Sequence, residues 1–276
     1  MAFHKGLHVI KIGDHILTPT IFPDGTSQVW KLPLDKMKSE LVNVDWEFQH
    51  EGEFMQLAQL KRLLDSMLYQ TDLFLSYLPY GRQDKVVNNR STFALEPFAN
   101  LLNHLNFRKV FILDPHSDEY RMINNSEAIY PWSELEEVIR RTQVSAICYP
   151  DHGAFTKYKK IYSNETRDKF IVVGEKVRDQ STGKITDFKI MFESPLNGQS
   201  VLIIDDICDG GATFCLVAKK LIELNAAQVH LFVTHGLFTR GLRPLQEALI
   251  DRIFTPDGEI TEIQNTIAIK PLRGIK

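Results

Sequence analysis

Short apolar runs alternate with stretches of helical spacing along the chain. Residues 7–12 (LHVIKI), 27–32 (SQVWKL) and 41–48 (LVNVDWEF) read as strands, the last with apolar residues alternating at Val42, Val44, Trp46 and Phe48. Leucines three and four apart predict an amphipathic helix over 53–68. A strand over 73–79 (LFLSYLP) empties into the polar stretch YGRQDKVVNNRS, long for a strand-to-helix connection and of the kind that carries function. Helical spacing returns over 93–105, and strand 109–114 (KVFILD) ends in Asp114, Pro115 and His116.

A second set starts near 133, where WSELEEVIRRT places Ser133 as a helix cap with acids in the first turn. Strand 145–150 (SAICYP), a loop DHGA and a helix to about 163 follow. Strand 169–174 (KFIVVG) then leads into a charged segment, EKVRDQSTGKITDF. Val201 to Ile204 form an apolar run of the kind buried on both faces of a parallel sheet. A loop, a helix over 212–224, strand 229–236 (VHLFVTHG) and a last helix near 241–250 complete the pattern. The fold expected is α/β, with two tandem domains at 1–132 and 133–276, each a mainly parallel sheet flanked by helices.

Composition narrows the function. A net charge of −3 gives no basic excess for a nucleic-acid partner. No apolar run approaches the length of a membrane span, and the start of the chain lacks a signal-peptide core. Cys148, Cys208 and Cys215 are odd in number and sit in apolar or strand–helix contexts, as free thiols do; a cytoplasmic protein is expected.

The candidate chemistry gathers at strand ends, where doubly wound sheets bind ligands. These ends carry Arg82-Gln83-Asp84, Asp114 with His116, Asp151-His152-Gly153, and the run VLIIDDICDGGATF over 201–214. In that run Gly210 and Gly211 let backbone amides turn inward beside a helix N-terminus, a site for a phosphate. Asp205 and Asp206 alternate along a strand, so at most one faces a given ligand, and a carboxylate accepts hydrogen bonds from sugar hydroxyls. Phosphate plus diol points to a ribose phosphate; a turn whose acids cap the helix is the plainer alternative. GxGxxG is missing, and Gly236 to Gly241 has Walker spacing but is followed by Leu242-Arg243 in place of Lys and Ser/Thr.

DDICDGGAT resembles the sugar-phosphate loop shared by type I phosphoribosyltransferases and ribose-phosphate pyrophosphokinases. FPDGTSQV, YGRQDK, LDPHSDEY, PDHGAFTKYKK, EKVRD and VTHGLF resemble the pyrophosphokinase landmarks in their usual order, and together they cover nearly the whole chain. The resemblance implies transfer of the β,γ-diphosphoryl group of ATP to the C1 hydroxyl of ribose 5-phosphate, with AMP leaving. A phosphoribosyltransferase would have no use for Arg82-Gln83 or Lys176-x-Arg178. A non-catalytic regulatory paralogue remains as a separate class, although its usual loss of a catalytic cation is not seen here.

By the same resemblance, Phe22, Asp24 and Thr26 match an adenine-binding turn lent to a neighbouring subunit, which implies a homo-oligomer. Thr26 stands where the family commonly has Glu. Arg82, Gln83 and His116 match ATP-holding positions, while His116, Asp151 and nearby Asp114 match the magnesium-associated ones. Lys176 and Arg178 match the catalytic pair, Arg178 also reaching the ribose phosphate. Asp205, Asp206, Asp209, Gly210, Gly211, Ala212 and Thr213 match the ribose-phosphate loop. Gly210 replaces the family's usual Thr, so a hydroxyl donor is missing and space is gained. That space suits a larger acceptor such as ADP-ribose, which would tie the chain to NAD metabolism.

Overall fold

The computed structural model describes residues 10–30, 32, 37, 39–87, 90–178, 185–190, 196–263 and 266–272, without the side chains of 176–178, 185–188, 263 and 266. The chain divides into two compact units, broadly residues 4–130 and 131–276. No helix among the described residues is long and apolar enough to cross a membrane.

In the first unit, β1 (Ile10–Ile12), β2 (His15–Ile16), β5 (Leu41–Trp46), β6 (Gln70–Leu75), β7 (Lys109–Leu113) and β8 (Ser126–Ile129) form one sheet in the order β2-β1-β5-β6-β7-β8. Strands β5 to β8 are parallel, and β1 joins β5 antiparallel. The expected strand over 7–12 survives as β1, residues 7–9 lying outside the described part. Helices α1 (Glu53–Ser66) and α2 (Leu95–His104) send Leu57, Leu60, Leu64, Leu95, Ala99 and Leu102 into one core with Val42, Val44, Trp46, Leu73, Leu75 and Ile112. The strict alternation of β5, whose even-numbered residues are buried and odd-numbered ones exposed, follows from helices covering that face. Glu53, 1 % exposed, is satisfied where it lies: Trp46 Nε1 donates to it at 3.1 Å, Gln49 N at 2.9 Å and His50 N at 3.2 Å.

The expected strand over 27–32 shrinks to a two-stranded hairpin of β3 (Thr20–Ile21) and β4 (Ser27–Gln28). The cause is a side chain from α1. Gln59 donates to Ser27 O and accepts from Val29 N, both at 2.9 Å, so the backbone there bonds an amide group instead of another strand.

The second unit holds α3 (Trp132–Thr142), β9 (Ala146–Tyr149), α4 (His152–Ile161), β10 (Phe170–Arg178), β11 (Ile185–Ile190), β12 (Ser200–Cys208), α5 (Ala212–Glu223), β13 (Gln228–Gly236), α6 (Arg243–Glu247), β14 (Arg252–Thr255), β15 (Gly258–Ile263) and β16 (Thr266–Lys270). Its sheet runs β11-β10-β9-β12-β13-β14-β15-β16. The central β10-β9-β12-β13-β14 are parallel, with β11, β15 and β16 added antiparallel. β12 and β13 are apolar on both faces because helices cover both, and Val201, Ile203, Val229, Leu231 and Val233 pack with Phe214, Val217 and Leu221 of α5.

Several expectations shift here. Ser133 is not the cap: the cap position of α3 is Pro131, two residues earlier, whose carbonyl accepts from Leu135 N at 3.0 Å, and Ser133 Oγ donates to Glu134. DHGA is not a loop, because Asp151 caps α4 at once. The strand expected to end at 174 continues to Arg178 and turns back as β11; residues 179–184 of the charged segment lie outside the described part.

His230, on β13 between Leu202 and Arg252 of the flanking strands, is 2 % exposed and neither ring nitrogen has a protein partner. Burial pushes its pKa below the ordinary value of 6.5, with Asp251 and Glu259 opposing and Arg252 assisting. The unfolded chain therefore takes up a proton first as pH falls. Stability is expected to be full above about pH 7 and to drop as acidification passes the unfolded histidine value near 6.5. Denaturant titrations at successive pH values check this, and His230→Leu should flatten that part of the profile.

Candidate functional site

In the second unit the strand order reverses between β9 and β12, since β10 was laid on one side of β9 and everything after β12 on the other. Beyond the carboxyl ends of two such strands the connections diverge and leave a crevice. Asp151 stands at the end of β9 and the 205–213 run at the end of β12, so the fold brings them to one edge of the sheet.

β12 runs on to Cys208, which places Asp205 and Asp206 inside the strand rather than in the loop. Alternation separates them: Asp206 is 6 % exposed, Asp205 is half-buried and lies near the Cys148 and Cys208 thiols. Burial, with Asp205 adding to it, pushes both thiols well up, so they are packing residues and not nucleophiles. Gly211 takes φ +77° as the N-cap of α5, and no side chain caps that helix. Its first amides are therefore left for an anion, supported by the helix dipole. An added Cβ at Gly211 would lie 2.9 Å from Leu245 Cδ2, and a left-handed L-residue costs about 1–2 kcal/mol. Gly211→Ala should thus lower the unfolding midpoint and weaken binding of inorganic phosphate, measured by thermal unfolding and calorimetric titration.

The loop after β13 clamps this run. Leu237 N and Phe238 N donate to Cys208 O at 2.8 and 3.1 Å, Thr239 N to Asp209 O at 3.1 Å, and Thr239 Oγ1 to Asp209 Oδ1 at 2.6 Å. Gly236 leaves room for the Phe238 ring, which would come within 2.2 Å of a Cβ there. Thr239 and its neighbour Arg240 did not stand out in the sequence as functional; the one available sign was the G-x-x-x-x-G spacing of 236–241 directly after a strand.

Asp151 Oδ1 accepts from Ala154 N at 2.8 Å, with Gly153 giving it room. Lys176 and Arg178 stand on β10, Lys176 paired with Phe188 and Arg178 with Ile185, their side chains outside the described part.

In the first unit, the loops beyond β6 and β7 carry Arg82, Gln83, Asp114 and His116 to one edge of that sheet. Arg82, Gln83 and His116 are exposed. The loop is pinned by Gln83 N to Tyr80 O at 2.9 Å, Leu95 N to Gln83 O at 3.2 Å, and Tyr80 Oη donating to Glu51 at 2.6 Å. Burial, together with Glu51, pushes the Tyr80 phenol up to about 12, so this tie persists across the ordinary pH range. Asp114 differs from its neighbours, being 1 % exposed at φ 41°. Burial and Asp114 together hold the Tyr130 phenol up to about 12. Asp24 closes its own turn, accepting from Thr26 N at 3.0 Å and Thr26 Oγ1 at 2.7 Å, and these bonds hold its carboxyl below the usual range. Phe22 beside it is 39 % exposed.

No three His, Cys, Asp or Glu side chains among the described residues gather as a cation cage. The donors fit magnesium only as an ion carried in on nucleotide phosphates, where water and phosphate oxygens fill most of its shell.

Comparison with known proteins shows what the chain is similar to. The chain is 26% identical over 223 residues to the ribose-phosphate pyrophosphokinase of Sulfurisphaera tokodaii, spanning 79% of this chain and 75% of that one. It is similar to ribose-phosphate pyrophosphokinases over most of its length. The pyrophosphokinase of Mycoplasmopsis pulmonis matches at 24% over 251 residues, 88% of this chain and 77% of its own. No family model matches. Among solved structures, phosphoribosylpyrophosphate synthetase from Mycobacterium smegmatis superposes with a TM-score of 0.70 at 17% identity, covering 86% of this chain and 78% of that one. The fold is therefore that of a pyrophosphokinase, two tandem units of mainly parallel sheet flanked by helices.

Proposed function

We propose that the chain is an ATP-dependent pyrophosphokinase acting on the C1 hydroxyl of a ribose 5-phosphoryl acceptor. The observation that carries this is the uncapped α5 N-terminus behind Gly210-Gly211, beside strand-borne carboxylates at the switch point of a pyrophosphokinase-like chain. The acceptor oxygen forms a bond to the β-phosphorus, the bond between the β-phosphorus and its bridge to the α-phosphate breaks, and that electron pair leaves on AMP. The C1 hydroxyl proton passes to solvent.

The second unit, with the 133–276 segment as its functional part, takes the ribose phosphate: amides of Gly211, Ala212 and Thr213 for the 5-phosphate, and one of Asp205 and Asp206, together with Asp209, for hydroxyls. The 1–132 segment takes ATP through Arg82, Gln83 and His116, a guanidinium fork suiting phosphate oxygens. Lys176 and Arg178 neutralise charge that builds on the transferring group. Magnesium would be carried on the ATP phosphates and would supply further charge neutralisation, with His116 in the first unit and Asp151 in the second each a separate candidate partner for it. Asp114, buried against Tyr130, serves better as a support for this edge than as a ligand. The hairpin tip, with Ile21 59 % and Phe22 39 % exposed, suits a turn lent to a second copy in a homo-oligomer.

A second reading keeps the transfer and enlarges the acceptor to ADP-ribose, favoured by the glycine at position 210. Mass spectrometry of products from ATP with ribose 5-phosphate or with ADP-ribose, with and without magnesium, separates the two. A diphosphoryl adduct plus AMP with either acceptor supports the reaction. AMP release with neither would leave a non-catalytic paralogue.

A further inference from the structure

Gly210 does not owe its identity to the backbone, because it is not among the positive-φ glycines, unlike Gly211 beside it. Its reason is space. A Cβ at 210 would lie 3.3 Å from both Cδ and Nε of Arg240 and 3.7 Å from Cγ, tighter than side chains ordinarily pack. The glycine lets the arginine stem lie directly across the loop.

The arginine is held there from both sides. Its predecessor Thr239 is bonded to Asp209 through backbone and hydroxyl. Its successor Gly241 makes the turn at φ +70° with its N–H on Phe238 O at 2.8 Å, and Leu242 N donates to Glu262 at 3.0 Å. The guanidinium itself is exposed, and among the described residues no acid pairs with it, although Arg243 pairs with Glu247 and Arg252 with Glu259. An unpaired guanidinium therefore stands next to the uncapped positive end of α5. A single phosphate at that end would meet the first amides of α5. A second phosphoryl group attached to the first would pass over Gly210, where no side chain blocks it, and meet the guanidinium fork.

We infer that Arg240 is the residue that selects an acceptor whose 5-phosphate carries a second phosphoryl group, a ribose 5-diphosphate ester, over one with a simple 5-phosphate. The inference rests on the ribose-phosphate reading of the α5 end. Gly210 and Arg240 act as a pair, one opening the path and the other ending it.

Binding of ADP-ribose and of ribose 5-phosphate to the full chain is measured by calorimetry, independently of turnover, for wild type, Arg240→Ala, Arg240→Lys and Gly210→Thr. Wild type should bind ADP-ribose at least about tenfold more tightly, as charge-assisted bonds to one phosphate warrant. Arg240→Ala should erase that ratio, Arg240→Lys should restore part of it, and Gly210→Thr should lower it by displacing the stem. Equal unfolding midpoints for wild type and Arg240→Ala show that the fold is intact, as expected for an exposed side chain. An unchanged ratio in Arg240→Ala, or no preference in wild type, overturns the inference. Retained preference with no AMP release from ATP would instead reject the transfer reaction and leave the role of Arg240 standing.

Discussion

Lys176→Ala is expected to lower AMP release from ATP about 10³-fold, roughly 4 kcal/mol of transition-state stabilisation, with little change in the KM of the ribose acceptor. The expectation rests on the proposed reaction, in which the enzyme has little covalent chemistry to perform and works by placing positive charge where negative charge builds. β10 supports it: the strand does not stop at Gly174 but carries Lys176 and Arg178 on a ladder paired with β11, so their backbone is set by register rather than left to a coil. The ladder shifts register between Val177 and Arg178, a bulge of the kind that re-aims a strand near a site. Steady-state kinetics with a coupled AMP assay provides the check. Lys176→Arg should recover part of the loss if charge alone is needed. Turnover equal to wild type in Lys176→Ala would remove this residue from the chemistry.

Glu53→Ala is expected to destabilise the first unit by about 3–5 kcal/mol. The side chain is 1 % exposed and receives three N–H groups, from Trp46 Nε1, Gln49 and His50, of which the buried indole N–H is the one left without water once the carboxylate is gone. An unsatisfied buried donor costs about 1–3 kcal/mol, and the cavity adds to it. The unfolding midpoint should fall by roughly 10–20 °C for a unit of this size. Glu53→Gln fills the volume yet turns an amide N–H toward donors, so it should fall between alanine and wild type. The distinguishing sign is the Trp46 fluorescence, which reports the loss of the indole bond directly. A midpoint within a degree or two of wild type in Glu53→Ala would mean that the amides find other partners.

Much of the fold was legible because its parallel strands are apolar and its helices carry leucines at helical spacing; the runs 41–48, 109–114 and 229–236 and the helix over 53–68 needed no context. What stayed hidden depended on tertiary partners. β12 reaches Cys208 only because β13 pairs with it past two carboxylates, residues that disfavour strands on their own. The end of β4 is decided by Gln59, more than thirty residues away. β14 to β16 were overlooked although Pro256-Asp257-Gly258 is a turn sequence of the kind that joins hairpins, and β8 is too short to stand out. At the candidate site, a strand-to-helix loop could be read from its glycines and acids. The burial of Asp114, the commitment of Asp151 to Ala154 and the approach of Arg240 to Gly210 could not, since each joins groups whose distance no spacing in the sequence encodes.

The clamp between the loops that follow β12 and β13 bears on how such a site changes over evolutionary time. It is made mostly of main-chain bonds, Leu237 and Phe238 to Cys208 and Thr239 to Asp209, which do not depend on the side chains there, proline apart. Side chains at 210 and 240 can therefore be exchanged without unlocking the scaffold. Under the proposed reaction, a gene duplicate could explore new acceptors through two codons while its core stayed under unchanged selection.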